Sequence, residues 1–400
     1  MNVNPEANAF LIDNDHRPAW PGVISLSLGV FGLVTAEFLP ASLLTPIAQD
    51  LNVSIGGAGQ SVTTTAVIGA LAGPAVVIGT SRMDRRLTLL GLTTLLIVSS
   101  LLSASAGGLG MLLVSRALLG IALGGFWAMS LALAMRLVPQ RLMPRAMAII
   151  MTGVSVATVC AAPVGAWVGE VFGWRSAFLI AAAVGGLALV VQFLTLPAMP
   201  SRGAADLGTM AAVLRRPAIR LGLATVLLVV AGHFAGFTFI RPFLETVPHF
   251  EVEGISAVLL AFGIGGFLGN LFGGFLAERN TPVAIAFAAG GIAVTALLLS
   301  LAGAHPGVAA IGIALWGFAF GALPVSVQSF ITQAAPDEAE SAGALMLTTF
   351  QIAISSGAAL GGLIVEAEGL DGVFAFAAIA SLLGTTLIAL RGRRRMPQRL

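Results

Sequence analysis

The sequence predicts an all-α integral membrane protein, with twelve transmembrane helices forming two six-helix bundles related by a pseudo-two-fold axis. Three observations carry that expectation. The 400 residues are 57% hydrophobic and 10% charged, where soluble domains are about 25% charged. Twelve stretches are long enough for a helix of about 20 apolar residues to cross a bilayer. Short motifs of the first half return in the second at a single spacing.

In chain order the expected spans are roughly 22–45, 57–80, 87–107, 109–135, 146–169, 176–197, 220–243, 255–277, 282–303, 307–332, 341–365 and 372–391. Charge, proline and glycine separate them, as at Asp50–Gly57, Arg82–Arg86, Pro139–Arg145, Pro248–Gly254 and Pro336–Glu340. The longest polar connection then divides the chain. A segment 1–21 precedes a bundle over 22–197, a linker over 198–219, a bundle over 220–391 and a basic tail over 392–400. The first 19 residues lack the basic start and small-residue cleavage site of a signal peptide, so the first span is expected to stay as an anchor.

Basic residues concentrate on the cytoplasmic side of membrane proteins. With the amino terminus inside, every arginine except Arg116, Arg175 and Arg241 falls at an inner connection or terminus. Both termini are therefore expected in the cytoplasm of a bacterial inner membrane. The single cysteine, Cys160, excludes an intramolecular disulfide and a cysteine metal cluster. The near-neutral balance gives no sign of nucleic-acid binding, and the chain is expected to act as a monomer in lipid.

The halves repeat. Ala162-Pro163-Val164-Gly165 aligns with Ala358-Ala359-Leu360-Gly361, and Glu170, Gly173 and Phe178 align with Glu366, Gly369 and Phe374. Leu119 to Gly124 aligns with Trp316 to Gly321 one residue further on. Parallel halves of this kind place a binding site between them.

The first span holds Thr35-Ala36-Glu37-Phe38-Leu39-Pro40. Carboxylates at membrane depth are costly and mark ion or substrate paths. Pro40 cannot donate a helical hydrogen bond, so the helix should kink and free a carbonyl near Ala36. Glu37 thus either lines a central cavity or sits at the outer interface. Arg116 lies roughly 10 Å below the outer end of the fourth span, and Glu37 roughly 22 Å up from the inner end of the first. The pair is either a proton switch, with Glu37 taking the proton and Arg116 tuning it, or a static ion pair joining two helices. Arg241, just before Pro242, either faces Glu37, contacts substrate or snorkels to water. His233, midway along the seventh span, either relays protons or packs.

Polar substrates need amide, hydroxyl and aromatic partners. Gln351, Asn270, Thr64 and its neighbours Thr63 and Thr65 offer the first two, and Trp127, Phe126 and Phe234 the third. Packing between helices is the competing reading for each. No phosphate-cradling loop follows a strand, and no Gly-Lys-Ser or Gly-Lys-Thr occurs. An enzyme is not expected, no cofactor is expected, and uphill transport would draw on an ion gradient.

Several motifs resemble those of the major facilitator superfamily, in its drug:proton antiporter branch. Gly274-Phe275-Leu276-Ala277-Glu278-Arg279 is similar to that family's inner-loop motif, and Met83-Asp84-Arg85-Arg86 to a degenerate copy lacking the following glycine. Arg116-Ala117-Leu118-Leu119-Gly120 resembles the fourth-helix arginine motif, and Gly153 through Pro163-Val164-Gly165 the fifth-helix antiporter motif. The stretches Glu37 to Pro46, Ala58 to Thr63, Leu123 to Ser130, Met135 to Pro139 and Phe239 to Pro242 resemble the purine ribonucleoside exporters of that branch.

The resemblance implies the major facilitator fold and alternating access. It also implies proton-coupled export of nucleosides such as inosine and guanosine. The residues themselves make Glu37, Arg116 and His233 the proton-coupling candidates, and Glu37, Trp127, Arg241, Gln351, Asn270 and Thr64 the substrate-binding ones. Asp84, Arg85, Arg86, Arg145, Glu278 and Arg279 would form charge clusters that lock the outward-facing state. Pro40, Gly120, Gly124, Pro163 and Gly165 would set helix kinks and packing. A drug or sugar efflux pump, a non-transporting sensor and a membrane enzyme are the alternatives; substrate-dependent proton release and product analysis separate them.

Overall fold

The computed structural model describes residues 18–80, 82–139, 142–200 and 207–395. Most of the expected segment 1–21, half of the linker's first part and the last residues of the tail lie outside them. The first bundle contains α1 (Trp20–Asp50), α2 (Ile55–Gly79), α3 (Arg85–Ala104), α4 (Leu109–Leu137), α5 (Met143–Val171) and α6 (Trp174–Thr195). A short linker helix, α7 (Leu207–Leu214), follows. The second bundle contains α8 (Pro217–Phe237), α9 (Ile240–Thr246), α10 (Val252–Arg279), α11 (Thr281–Ala302), α12 (Pro306–Ala334), α13 (Ala339–Glu368) and α14 (Leu370–Arg395). Among the described residues eleven helices are long and apolar enough to cross a membrane, and the 25-residue α2 stands at the place of the second expected span.

One expected element is corrected. The span 220–243 is not one helix: α8 ends at Phe237 and α9 starts at Ile240. Pro242 has no N–H for the carbonyl four residues back, so the ladder cannot run through Thr238. The chain turns at Phe239 (φ −107°, ψ 19°), and the Thr238 hydroxyl donates to the Phe234 carbonyl at 2.6 Å.

The two bundles reuse one packing scheme. α2 packs on α4, α1 on α5 and α3 on α6; correspondingly α10 packs on α12, α8 on α13 and α11 on α14. In lipid such contacts depend on close backbone approach between small residues. A Cβ on Gly120 would stand 2.6 Å from the Thr65 carbonyl, and one on Gly124 would collide with that of Gly69. The repeat preserves this: side chains at Gly317 and Gly321 would collide with the carbonyls of Phe262 and Gly266. The turns entering α6 and α14 match as well. Gly173 (φ 81°) and Gly369 (φ 82°) both adopt the backbone region that glycine tolerates.

The bundles meet where α2 faces α13, α5 faces α10, and α9 leans on α1. Gly165 in α5 approaches Ser42 of α1, with room of only 2.7 Å to the hydroxyl for a Cβ. Pro163, buried inside α5, frees the Val159 carbonyl. Gly263 of α10 packs against that turn, 2.9 Å from the same oxygen to a notional Cβ.

Candidate functional site

The site is built on two proline breaks in α1. Pro40 and Pro46 lie inside this 31-residue helix and cannot donate to Ala36 and Ser42. Buried carbonyls without a partner are costly, and an arginine meets each one. Arg116, 1% exposed, extends from α4 and donates through Nη1 to the Ala36 carbonyl at 2.9 Å. Its Nε donates to Thr65 Oγ1 at 3.0 Å, and its Nη2 lies 3.5 Å from the Glu37 carbonyl. Arg116 therefore reaches Glu37 through backbone oxygen. These bonds tether α1, α2 and α4, and the guanidinium remains close enough to the Glu37 carboxylate for the two charges to interact, without a direct ion pair between them.

Arg241, 2% exposed, lies on α9 in the other bundle. Its Nη1 donates to the Ser42 carbonyl at 2.8 Å, its Nε to Glu245 at 2.6 Å, and its Nη2 approaches Glu170 of α5 at 3.4 Å. It thus bridges the bundles at the end opposite the arginine-rich connections. At that same end Ser54 Oγ donates to Glu366 Oε1 at 2.7 Å, again across the bundles. Arg241 neither faces Glu37 nor snorkels outward.

Between these two tethers lies a cleft lined by Glu37, Phe38, Ala41, Val62, Thr65, Phe234, Phe237, Thr238 and Ile354. Its volume is about 10 Å³, room for a single water. Glu37 is half-buried there, and the Gln351 side chain of α13 lies near its carboxylate. Gln351 Oε1 is buried without a partner among the described residues. Phe38 stacks on Phe234 (6.4 Å between centroids, 21°) and meets Phe237 edge-on at 5.7 Å. One bundle thus supplies the acid, the other the amide and most of the aromatic surface.

The remaining expected residues fall elsewhere. His233 is fully buried; neither ring nitrogen has a partner among the described residues. It lies among Phe320 (3.5 Å, 2°), Phe237, Phe262, Phe234 and Trp316, one layer behind the cleft. Asn270 is exposed on α10, and Thr64 and Trp127 are partly buried; none of the three lines the cleft. Thr65 takes the place expected for Thr64.

The expected inner charge clusters are engaged within the first bundle or exposed. Asp84 caps α3, accepting from the Arg86 N–H at 2.7 Å and the Met199 N–H at 3.0 Å. Arg85 donates to Thr80 Oγ1 at 3.2 Å, Arg86 to the Phe193 carbonyl at 2.6 Å, and Arg145 lies over Trp20. Glu278 is exposed, and Arg279 lies over Phe275. The inner ion pair the sequence reading missed is Arg216 with Asp337, bidentate at 2.6 Å for each bond. Arg216 holds the Asp337 carboxyl down at about 2 through those hydrogen bonds. Both belong to the second bundle, so this pair closes nothing between bundles.

Comparison with known proteins follows the geometry. The Major Facilitator Superfamily profile matches residues 26–358. The "Purine ribonucleoside efflux pump NepI" of Salmonella enteritidis PT4 is 39% identical over 393 residues, covering 98% of this chain and 99% of that protein. The protein of the same name from Salmonella typhimurium LT2 matches at the same identity and coverage. Among solved structures, a bacterial homologue of the human lysosomal transporter Spinster, inward-facing and unoccupied, superposes with a TM-score of 0.76 at 16% identity, covering 96% of this chain and all of the other. The human organic anion transporter MFSD10 gives 0.67 at 16% identity, covering 93% of this chain and all of the other. These two show the fold. With the family profile, the near full-length relatives and the paired bundles in agreement, this multi-pass membrane protein belongs to the major facilitator superfamily.

Proposed function

We propose that the chain is a proton-coupled antiporter that exports purine ribonucleosides such as inosine and guanosine from a bacterial cell. The arginine-rich end faces the cytoplasm. The observation that carries the reading is Glu37: a carboxylate on a proline-broken helix, half-buried in a cleft between the bundles, near Gln351 of the opposite bundle. The similarity to purine ribonucleoside pumps over nearly the whole chain supports the cargo class.

In this reading the far end is closed by Arg241 and by Ser54 with Glu366, and the cytoplasmic side admits the nucleoside. Rocking of the bundles breaks those contacts and wets Glu37 from the outside. A proton on Glu37 removes the charge that the cargo's hydroxyls or ring N–H groups would bind, and the cargo leaves. On return Glu37 gives the proton to the cytoplasm. Each charge moved through 100 mV contributes about 2.3 kcal/mol. Glu37, Gln351 and Thr65 supply hydrogen bonds, and Phe38, Phe234 and Phe237 supply ring faces.

Proteoliposomes carrying Glu37→Gln test this. Inosine counterflow is expected to persist, while transport driven by an imposed pH gradient falls to background. Gradient-driven transport equal to that of the parent would refute the assignment. Competition by guanosine, arabinose and a cationic dye against labelled inosine separates a nucleoside exporter from a drug or sugar pump.

A further inference from the structure

Behind the cleft, three polar atoms in the second bundle are buried without partners among the described residues: Nδ1 and Nε2 of His233, and Nε1 of Trp316. Both residues are fully buried. The two rings are neighbours, with centroids 5.0 Å apart. Buried polar atoms are nearly always hydrogen-bonded, so three orphans in one spot require an explanation. Packing alone would favour phenylalanine at position 233, because an apolar ring of the same shape has nothing to desolvate. The cover over His233 is Phe320, parallel to it at 3.5 Å and only half-buried. Pro324 sits four residues further along α12 and denies the Phe320 carbonyl its helical hydrogen bond, loosening the turn that carries the cover. Of the other rings around His233, Phe234 and Phe237 line the cleft itself, and Phe262 lies behind them. The cleft as it stands holds no more than a water, so a cargo of nucleoside size must displace rings.

We propose that His233 and Trp316 form a recessed subsite for a 6-oxopurine base, opened when Phe320 swings aside. A neutral imidazole donates one N–H, and the indole donates another. Two neighbouring donors complement the two acceptors on the edge of a 6-oxopurine, N7 and O6; a 6-aminopurine presents N7 and a donor instead. The subsite therefore selects inosine and guanosine over adenosine. This inference rests on the nucleoside reading above and assigns its base-recognition residues.

Binding of tritiated inosine, 7-deazainosine and adenosine to purified protein tests it. The parent is expected to bind inosine about tenfold more tightly than 7-deazainosine, the difference expected for one lost hydrogen bond. His233→Phe is expected to lose that discrimination while melting at or above the parent's temperature. Trp316→Phe is expected to bind inosine and adenosine alike, and Phe320→Ala to bind inosine more tightly than the parent. A parent that binds inosine while His233→Phe and Trp316→Phe bind all three ligands as it does would overturn the subsite and leave the nucleoside reading standing. A parent that binds none of the three would overturn both.

Discussion

α1 gives up a helical hydrogen bond twice, six residues apart, and the two freed carbonyls have different partners. The Ala36 carbonyl goes to Arg116 of the same bundle; the Ser42 carbonyl goes to Arg241 of the opposite one. The chemistry is the same in both places: a proline removes a donor, and a buried guanidinium replaces it. What differs is whether the bond survives a relative motion of the bundles. The Arg116 bond lies within one bundle, so in the proposed rocking it holds Glu37 in place throughout. The Arg241 bond crosses between the bundles, so in that motion it breaks when the far end opens. One helix thus carries a permanent tether and a removable latch.

Substitutions that separate tether from latch give the largest effects. Arg116→Leu leaves the Ala36 carbonyl and Thr65 without their donor, and is expected to cost about 3 kcal/mol of stability, read by thermal unfolding in detergent. Arg241→Leu also removes a donor, from the Ser42 carbonyl and Glu245, but the far end can part and let water reach those groups and Glu170, which is 54% exposed, so the loss of stability is expected to be smaller than for Arg116→Leu. The substitution should instead open the far end. Spin labels at Gln49→Cys and Glu368→Cys, exposed at the far end of α1 and of α13, in a Cys160→Ser background, would then show a longer distance population by pulsed electron resonance. If Arg241→Leu unfolds like Arg116→Leu and shows no longer distances, the two arginines are equivalent and the distinction fails.

A smaller effect is expected from Pro46→Ala. The new N–H can bond Ser42 within the helix and compete with Arg241, so the same labels should shift toward the open population by about 1 kcal/mol. An unchanged distribution would mean that the broken helix bond contributes nothing to the latch.

The smallest effect concerns the inner pair. Asp337 is held down from its usual 3.8 to about 2 by Arg216. The stabilisation it contributes is therefore fully present above about 3.8 and lost as the pH falls toward about 2. The pair is solvent-exposed, so Asp337→Asn is expected to melt close to the parent at pH 7, with the remaining difference vanishing by about pH 2. A difference that grows on acidification would contradict the assignment.

The helices were legible because apolar length and arginine punctuation are local signals. The freed carbonyl at Ala36 was legible too, since a proline's missing bond always falls four residues back. The same arithmetic at Pro46 points to Ser42, and it went unused because no acid marks that turn. Arg116 and Glu37 were legible as interacting opposite charges, but the hydrogen bonds from the guanidinium to the Ala36 and Glu37 carbonyls were not, because a bare carbonyl leaves no mark in the sequence at the arginine. The cage around His233 was not legible. Phe262, Trp316 and Phe320 come from α10 and α12, and in an apolar run nothing separates a ring that faces lipid from one that faces a neighbour. The break at Thr238 and Phe239 was signalled by Pro242, whose missing N–H falls on the Thr238 carbonyl four residues back.

The measurement that bears most directly on Glu37 as the exchanged site is proton release on cargo binding. Inosine added to the detergent-solubilised, weakly buffered parent is expected to release protons in proportion to the bound nucleoside, and Glu37→Gln is expected to bind inosine without releasing any. Equal release from both proteins would place the exchanged proton elsewhere and contradict the account.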